Sequence, residues 1–267
     1  MSVSKKLKYY FNRAVNTYEQ AGKIQKIVSE DILQRIPLTH YDTIVEIGSG
    51  KGFLSEYISS NFSFKRYIHI DISFDFLKRL RKKLQVNNFF INSDGENIPL
   101  RSNAAELLLS SSCIHWFDNP EKTIPAIFDI LLSGGRFFFS IFTSGTLQEL
   151  KQASDYSGFG STYPLRKAEF YVELIKRLNF IFSYDVKTYK IYYPTVKALL
   201  MSHKLTGTNY TKEKKFTGKN KFKKFCDFYS RYFSDNEGVY ATYEVLFIEG
   251  QKLSPFHQHQ LLKPLLL

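Results

Sequence analysis

The amino-acid pattern predicts an α/β fold: a mostly parallel seven-stranded sheet with helices on both faces and a helical cap inserted before the last strand. Three observations lead there. From Asp42 to about Phe142, short runs rich in β-branched and aromatic residues alternate with amphipathic segments of helical period, a pattern that implies βα units around a parallel sheet. The first run ends in Glu46 and passes at once into glycines at every second position, Gly48, Gly50 and Gly52. The next two runs also end in acids, Asp71 and Asp94.

The elements follow in order. Residues 18–36 read as one helix, with Ile24, Ile27, Val28, Ile32, Leu33 and Ile36 at three- and four-residue spacing. Ile44-Val45-Glu46-Ile47 is the first strand, and 54–60 the helix after it. Strands at 67–72 and 89–94 flank a helical pattern at 74–84. A fourth strand at 106–111 leads into Cys113-Ile114-His115-Trp116-Phe117, and a helix over 120–131 precedes the turn Leu132-Ser133-Gly134-Gly135 and a fifth strand at 135–141. A helix opens at 145–150, a loop with Gly158, Gly160 and Pro164 follows, and another helix covers about 167–178. A strand at 181–193 and a closing strand at 242–249 are separated by helical segments near 195–204 and 220–233. That inserted pair is expected to cap the carboxyl edge of the sheet, where open α/β sheets bind ligands.

The chain therefore reads as a single domain over 1–250 with a tail at 251–267. Within the domain, 1–41 is helical, 42–143 is the cofactor-binding core, 144–241 is the substrate side and cap, and 242–250 is the last strand. No run reaches the length of a membrane span, and the start Met1-Ser2-Val3-Ser4-Lys5-Lys6 has no apolar leader. The two cysteines, Cys113 and Cys226, suit a reducing cytosol, and Cys113 reads as small packing. The six histidines have no metal-ligand spacing, so no metal site is expected. The net charge is +12, and between Lys204 and Lys224 eight lysines meet one acid, Glu213. Such a field steers an acidic partner, either RNA or an acidic carrier protein, with a solvated surface as the plain alternative.

The turn Glu46-x-Gly48-x-Gly50-x-Gly52 brings bare backbone to a small charged ligand, and the helix opening at Phe53 points its free N–H groups there. Its spacing differs from the G-x-G-x-x-G of dinucleotide binders. It resembles motif I of the class I S-adenosylmethionine methyltransferases, a Rossmann-like fold whose cofactor has an amino-acid tail and no phosphate. Asp71 at the tip of the second strand suits a ribose, because a carboxylate accepts from both hydroxyls. Asp94 is placed to accept from the adenine amine. The resemblance also implies cofactor contacts at Ser49, Ile72, Gly95, Ser110 and Ser111.

The whole chain is similar to one branch of that class, the malonyl-[acyl-carrier protein] O-methyltransferases of biotin synthesis. The matching pieces are Phe11-Asn12-Arg13-Ala14 through Tyr18-Glu19-Gln20, Ile114-His115-Trp116, the segment from Ser144 to Leu150, Leu205-Thr206-Gly207-Thr208-Asn209, and Thr242-Tyr243-Glu244-Val245. The resemblance implies S-adenosylmethionine as cofactor, methylation of the free carboxylate of a malonyl thioester, and a cytoplasmic monomer. Its catalytic set falls on Tyr18, over the cofactor, and on His115 and Trp116, after the fourth strand, with packing as the alternative for each. An arginine that the family often keeps before the 167–178 helix has Arg166 as its nearest candidate here. The acidic carrier is expected on a basic cap of Lys212, Lys214, Lys215, Lys221, Lys223 and Lys224.

A carboxylate is ionised at neutral pH, so no general base or triad is expected. The rivals are a methyltransferase acting on RNA or another small molecule, and a sister group that hydroxylates arginine in complex I assembly. Ser110-Ser111-Ser112-Cys113 stands where amino-group nucleic-acid methylases keep Asn-Pro-Pro-Tyr. Thr143-Ser144-Gly145-Thr146-Leu147 lacks the aspartate of the hydroxylase segment. Both departures favour the carboxyl methyltransferase, and nucleic acid is discounted as a partner.

Overall fold

A computed structural model describes residues 3–178, 180–211 and 218–253. Its strands are β1 (His40–Ile47), β2 (Ser63–Asp71), β3 (Asn88–Asn92), β4 (Ala105–Ser111), β5 (Leu131–Phe142), β6 (Phe180–Tyr193), the two-residue β7 (Ser234–Asp235) and β8 (Gly238–Lys252). The helices are α1 (Val3–Ala14), α2 (Tyr18–Ala21), α3 (Lys23–Leu33), α4 (Phe53–Asn61), α5 (Phe74–Lys83), α6 (Pro120–Asp129), α7 (Gln148–Ser157), α8 (Ala168–Lys176), α9 (Val196–Leu205) and α10 (Lys219–Tyr232). A 3-10 turn covers Ile114–Trp116. The sheet order is β3-β2-β1-β4-β5-β8-β6, with β7 paired to β8. β1 to β5 run parallel, and β8 lies antiparallel between β5 and β6. The order reverses between β1 and β4, and ligands of open α/β sheets bind at such a switch point.

Alternate residues of each strand face opposite layers. Ile44 of β1 joins α3, α4, α7, α9 and α10 on one face. Val45 and Ile47 join α6 and α8 on the other. Both layers are aliphatic and aromatic, and Ile44, Val45 and Ile47 are fully buried. Arg35, just past α3, donates to both oxygens of Asp185 at 2.6 and 3.0 Å and stands 3.5 Å from Glu249. It thereby fastens the N-terminal helices to β6 and β8.

The structure adds the short β7 to the seven strands expected, and differs from the pattern in three further places. The helix read over 18–36 is two helices, broken at Gly22, the poorest helix former of that stretch. The break leaves Tyr18 on its own short turn, and the side chain of Thr17 before it donates to the Leu205 carbonyl of the cap at 2.7 Å. The turn read at 132–135 lies inside β5 as a bulge, because the register slips between Ala105↔Leu131 and Leu107↔Arg136. β3 stops at Asn92, so Asp94 sits on the loop beyond it.

The glycine turn packs tightly against α5. Gly52 has φ +97°, and a Cβ there would lie 2.4 Å from Leu80 Cδ1. Gly52→Ala is expected to cost about 1–3 kcal/mol, from backbone strain and overpacking together. In calorimetry that appears as a melting point lowered by about 2–10 °C, and an unchanged melting point contradicts this packing.

Candidate active site

Two joined hollows open at the carboxyl ends of β1, β2 and β4. The first holds about 750 Å³ of empty space, part of it open to solvent. Gly48, Gly50, Asp71, Ile72, Asp94, Gly95 and Ser111 line it. The turn that makes its floor is tied to β2 by the N–H groups of Gly48 and Ser49, which donate to the Ile70 carbonyl at 2.8 and 3.1 Å. Gly50 has φ +49°, and a Cβ there would have no atom closer than 3.9 Å. The space a side chain would fill belongs to the hollow. That is how a turn leaves room for a ligand against its backbone.

Asp71 organises this end. Its Oδ2 accepts from Gly50 N at 2.8 Å and its Oδ1 from Ser73 N at 2.7 Å. Burial pushes its carboxyl up to about 6, against the two backbone N–H groups that favour the ionised form. At neutral pH it is an ionised acceptor with lone pairs left for the two hydroxyls of a ribose. Asp94 Oδ1 takes the Glu96 N–H at 3.1 Å, which fixes the loop beyond β3. Glu96 accepts in turn from Asp118 N and Asn119 N at 3.1 and 2.8 Å, holding the segment after the 3-10 turn. Three carboxylates and no lysine or arginine line this hollow among the described residues. A pyrophosphate is repelled there, whereas a nucleoside carrying a sulfonium and an ammonium group is attracted. The residues fit S-adenosylmethionine.

Several expected cofactor residues stand elsewhere. Glu46 does not line the hollow: it accepts from Ser55 Oγ at 2.6 Å and from the Tyr67 hydroxyl, bracing β1 against α4 and β2. Ser110 Oγ donates to the Ile47 carbonyl at 3.0 Å. Ser49 and Gly52 shape the turn, and Phe53 lies beside Tyr18, its ring centroid 6.3 Å away. None of these four lines the hollow.

The second hollow, with about 1100 Å³ of empty space that is partly open to solvent, lies under the cap. Phe11, Tyr18, Ser112 and Trp116 line both hollows and make the neck between them. Tyr18 packs edge-on against Phe76 at 5.3 Å, and Trp116 lies between Phe11, His115 and Tyr163 at 4.9–6.0 Å. Burial holds the Tyr18 hydroxyl protonated, well above its ordinary value, and pushes His115 down to about 3, so its imidazole is neutral. Arg166 is not part of this wall. It pairs with Glu121 at 3.1 Å and stacks over Phe170 at 4.2 Å, because its loop runs along α6 and α8. No lysine, arginine, aspartate or glutamate lines the second hollow among the described residues.

Sequence reasoning missed Phe76, Phe117, Ser112 and Gln25. The two phenylalanines were hidden among 25 of their kind. Ser112 has no sequence signal, since its role rests on a left-handed backbone of φ +56°. Gln25 was masked by the apolar period of α3.

A family model described as a methyltransferase domain matches residues 45–139. Malonyl-[acyl-carrier protein] O-methyltransferase of Chlorobium luteolum is 25% identical over 245 residues, covering 89% of this chain and 91% of that protein. The enzyme of the same name from Priestia megaterium is 24% identical over 260 residues, covering 90% and 94%. Among solved structures, a putative methyltransferase from Bacillus halodurans aligns with a TM-score of 0.62 at 13% identity, covering 85% of this chain and 99% of that one.

Fold, glycine turn and acidic hollow define a class I S-adenosylmethionine-dependent methyltransferase. Within that class the chain is similar, over nearly its whole length, to the malonyl-[acyl-carrier protein] O-methyltransferases, as its N-terminal, cap and last-strand pieces implied.

Only an ionised Asp71 offers both hydroxyls full acceptors. Cofactor affinity is therefore expected to hold from neutral pH down to about 6 and to fall below it, by up to about tenfold per unit. Asp71→Asn should remove that dependence and weaken binding about tenfold or more at neutral pH. Titration calorimetry reads both, and an affinity flat through pH 6 in the unchanged protein contradicts this role.

Proposed function

We propose that the protein transfers a methyl group from S-adenosylmethionine to the free carboxylate of a malonyl thioester borne by an acyl-carrier protein, in the cytosol. The observation that supports this most is the pair of hollows: an acidic one for a cationic nucleoside, joined through Phe11, Tyr18, Ser112 and Trp116 to an aromatic one with no fixed charge. The names of the relatives support a malonyl-carrier acceptor.

When bound, the cofactor supplies an activated methyl group on a sulfonium. Held over the Gly48–Gly50 turn and Asp71, it would give that methyl to a carboxylate oxygen of the acceptor, the electron pair of the broken C–S bond staying on sulfur. No proton moves. Opposite charges therefore cancel along the reaction, and low polarity favours a step in which charge disappears. Trp116, Phe11 and Phe142 exclude water, and Tyr18 borders the path from its anchored short helix. Neutral His115 offers an N–H without drawing the acceptor's charge away from the methyl group.

The cap supports a carrier. α10 buries Phe225 against the second hollow while Lys221, Lys223 and Lys224 stay exposed on its outer side. Lys224 caps the Tyr156 ring at 4.4 Å. Lys212, Lys214 and Lys215 lie outside the described residues. Among the described residues, no helix is long and apolar enough to cross a membrane.

The test is purified protein with labelled cofactor: methyl ester should form on malonyl-carrier protein and not on free malonate, and it should rescue a biotin auxotroph lacking its malonyl methylase. No transfer to the malonyl thioester contradicts the reading. Tyr18→Phe is expected to lower kcat about tenfold through loss of one hydrogen bond to a charged group, and full turnover would remove that hydroxyl from the mechanism. Lys223→Glu with Lys224→Glu should raise the KM for the carrier several-fold, and added salt should raise it in the unchanged protein, since exposed charges are screened beyond about 8–10 Å. A KM indifferent to both contradicts the docking face.

A further inference from the structure

Buried polar atoms without hydrogen-bond partners are rare in folded proteins, because each carries its full desolvation penalty. Gln25 Oε1, Ser112 Oγ and His115 Nδ1 are three such atoms. All three residues line the second hollow, among aromatic neighbours, and Gln25 and His115 are only 8% and 7% exposed.

Gln25 and Ser112 are tied into one framework through their backbones. The Ser112 N–H donates to the carbonyl of Ser140 at 3.0 Å and to its Oγ at 3.3 Å. Ser140 Oγ donates to Ser111 Oγ at 3.1 Å, which stands 3.3 Å from Ser29 Oγ. Ser29 Oγ donates to the Gln25 carbonyl at 2.8 Å. This chain of serines joins α3 to the ends of β4 and β5, and holds Ser112 in its left-handed turn at the neck. The Ser112 hydroxyl, one His115 imidazole nitrogen and the Gln25 carboxamide oxygen are left unmatched.

We propose that Gln25, Ser112 and His115 form a charge-neutral seat for the oxygens of a carboxylate-bearing acceptor, in which the positive charge of the bound cofactor is the counter-charge. This rests on the carboxylate acceptor argued above. An ionised carboxylate and a thioester carbonyl only accept hydrogen bonds. A serine hydroxyl, a neutral imidazole and a carboxamide turned by its end-over-end alternative each present a donor. A fixed arginine would hold the anion whether or not the methyl donor were present, and would resist its loss of charge. The neutral seat avoids both. It also makes acceptor binding depend on the charge of the cofactor: the anion is held beside the sulfonium and released once the thioether and the uncharged ester have formed.

Calorimetry on the whole protein tests this with a malonyl thioester of pantetheine as probe. The protein is saturated first with S-adenosylhomocysteine, then with the cofactor analogue in which an ammonium-bearing carbon replaces the sulfonium. The probe is expected to bind at least about tenfold more tightly with the cationic analogue. Gln25→Leu and Ser112→Gly should each weaken probe binding about tenfold, with Gln25→Leu keeping the cofactor affinity and melting point of the unchanged protein. Equal probe affinity with both cofactor forms, or undiminished affinity in both variants, overturns the seat alone. No probe uptake by the unchanged protein with either form overturns the acceptor reading and the seat with it.

Discussion

One buried carboxylate holds the site together. Asp71 ends β2, accepts the Gly50 N–H from the turn after β1, and accepts the Ser73 N–H at the start of α5. Two neighbouring βα units are thereby locked at the one place where their strands end side by side. The same turn is fixed again by Ile70, whose carbonyl takes the N–H groups of Gly48 and Ser49. Backbone and carboxylate together make a rigid floor, and a rigid floor sets the position of whatever lies on it. The charge on Asp71 is part of the structure: burial works against it, and two backbone donors work for it.

Around that floor the electrostatics divide into two compartments. The first hollow has Asp71, Asp94 and Glu96, while the second has hydroxyls, neutral imidazoles and rings. His115 and His203 are both neutral there, pushed down by burial to about 3 and about 4. On the proposed reading, a cationic methyl donor facing an anionic acceptor gains from an acidic holder behind it and an uncharged wall ahead. Phe11 and Tyr18 from the N-terminal helices, with Ser112 and Trp116 after β4, set that boundary. The N-terminal segment and the cap are tied to each other at Thr17 and Leu205. The second hollow is therefore lined by residues far apart in the sequence, from Phe11 to Tyr243.

Much of this was legible in the order of residues. The alternation of strand and helix, the glycine turn, and the acids at 71 and 94 rest on local chemistry, and local chemistry is what a sequence displays. The inserted helices also showed, through their apolar period. What stayed hidden depends on direction and distance. Glu46 has the same pattern as Asp71 at a strand end, yet it points beneath the sheet to Ser55 and Tyr67. Arg166 sits near the expected position for an anion partner, yet its loop turns it to Glu121. Gln25 reads as a polar interruption in an apolar helix, and only the fold shows it facing a hollow. The break at Gly22, which frees Tyr18 to stand at the neck, was overridden in the pattern by the regular isoleucines on either side.

The central claim is that Asp71 and the Gly48–Gly50 turn position a nucleoside whose sulfur lies at the neck of Phe11, Tyr18, Ser112 and Trp116. A crystal structure with S-adenosylhomocysteine bound tests it most directly. Both ribose hydroxyls are expected on Asp71, the adenine amine toward Asp94, and the sulfur facing Ser112 and Trp116. A nucleoside bound away from Asp71, or a sulfur turned from the second hollow, would contradict it.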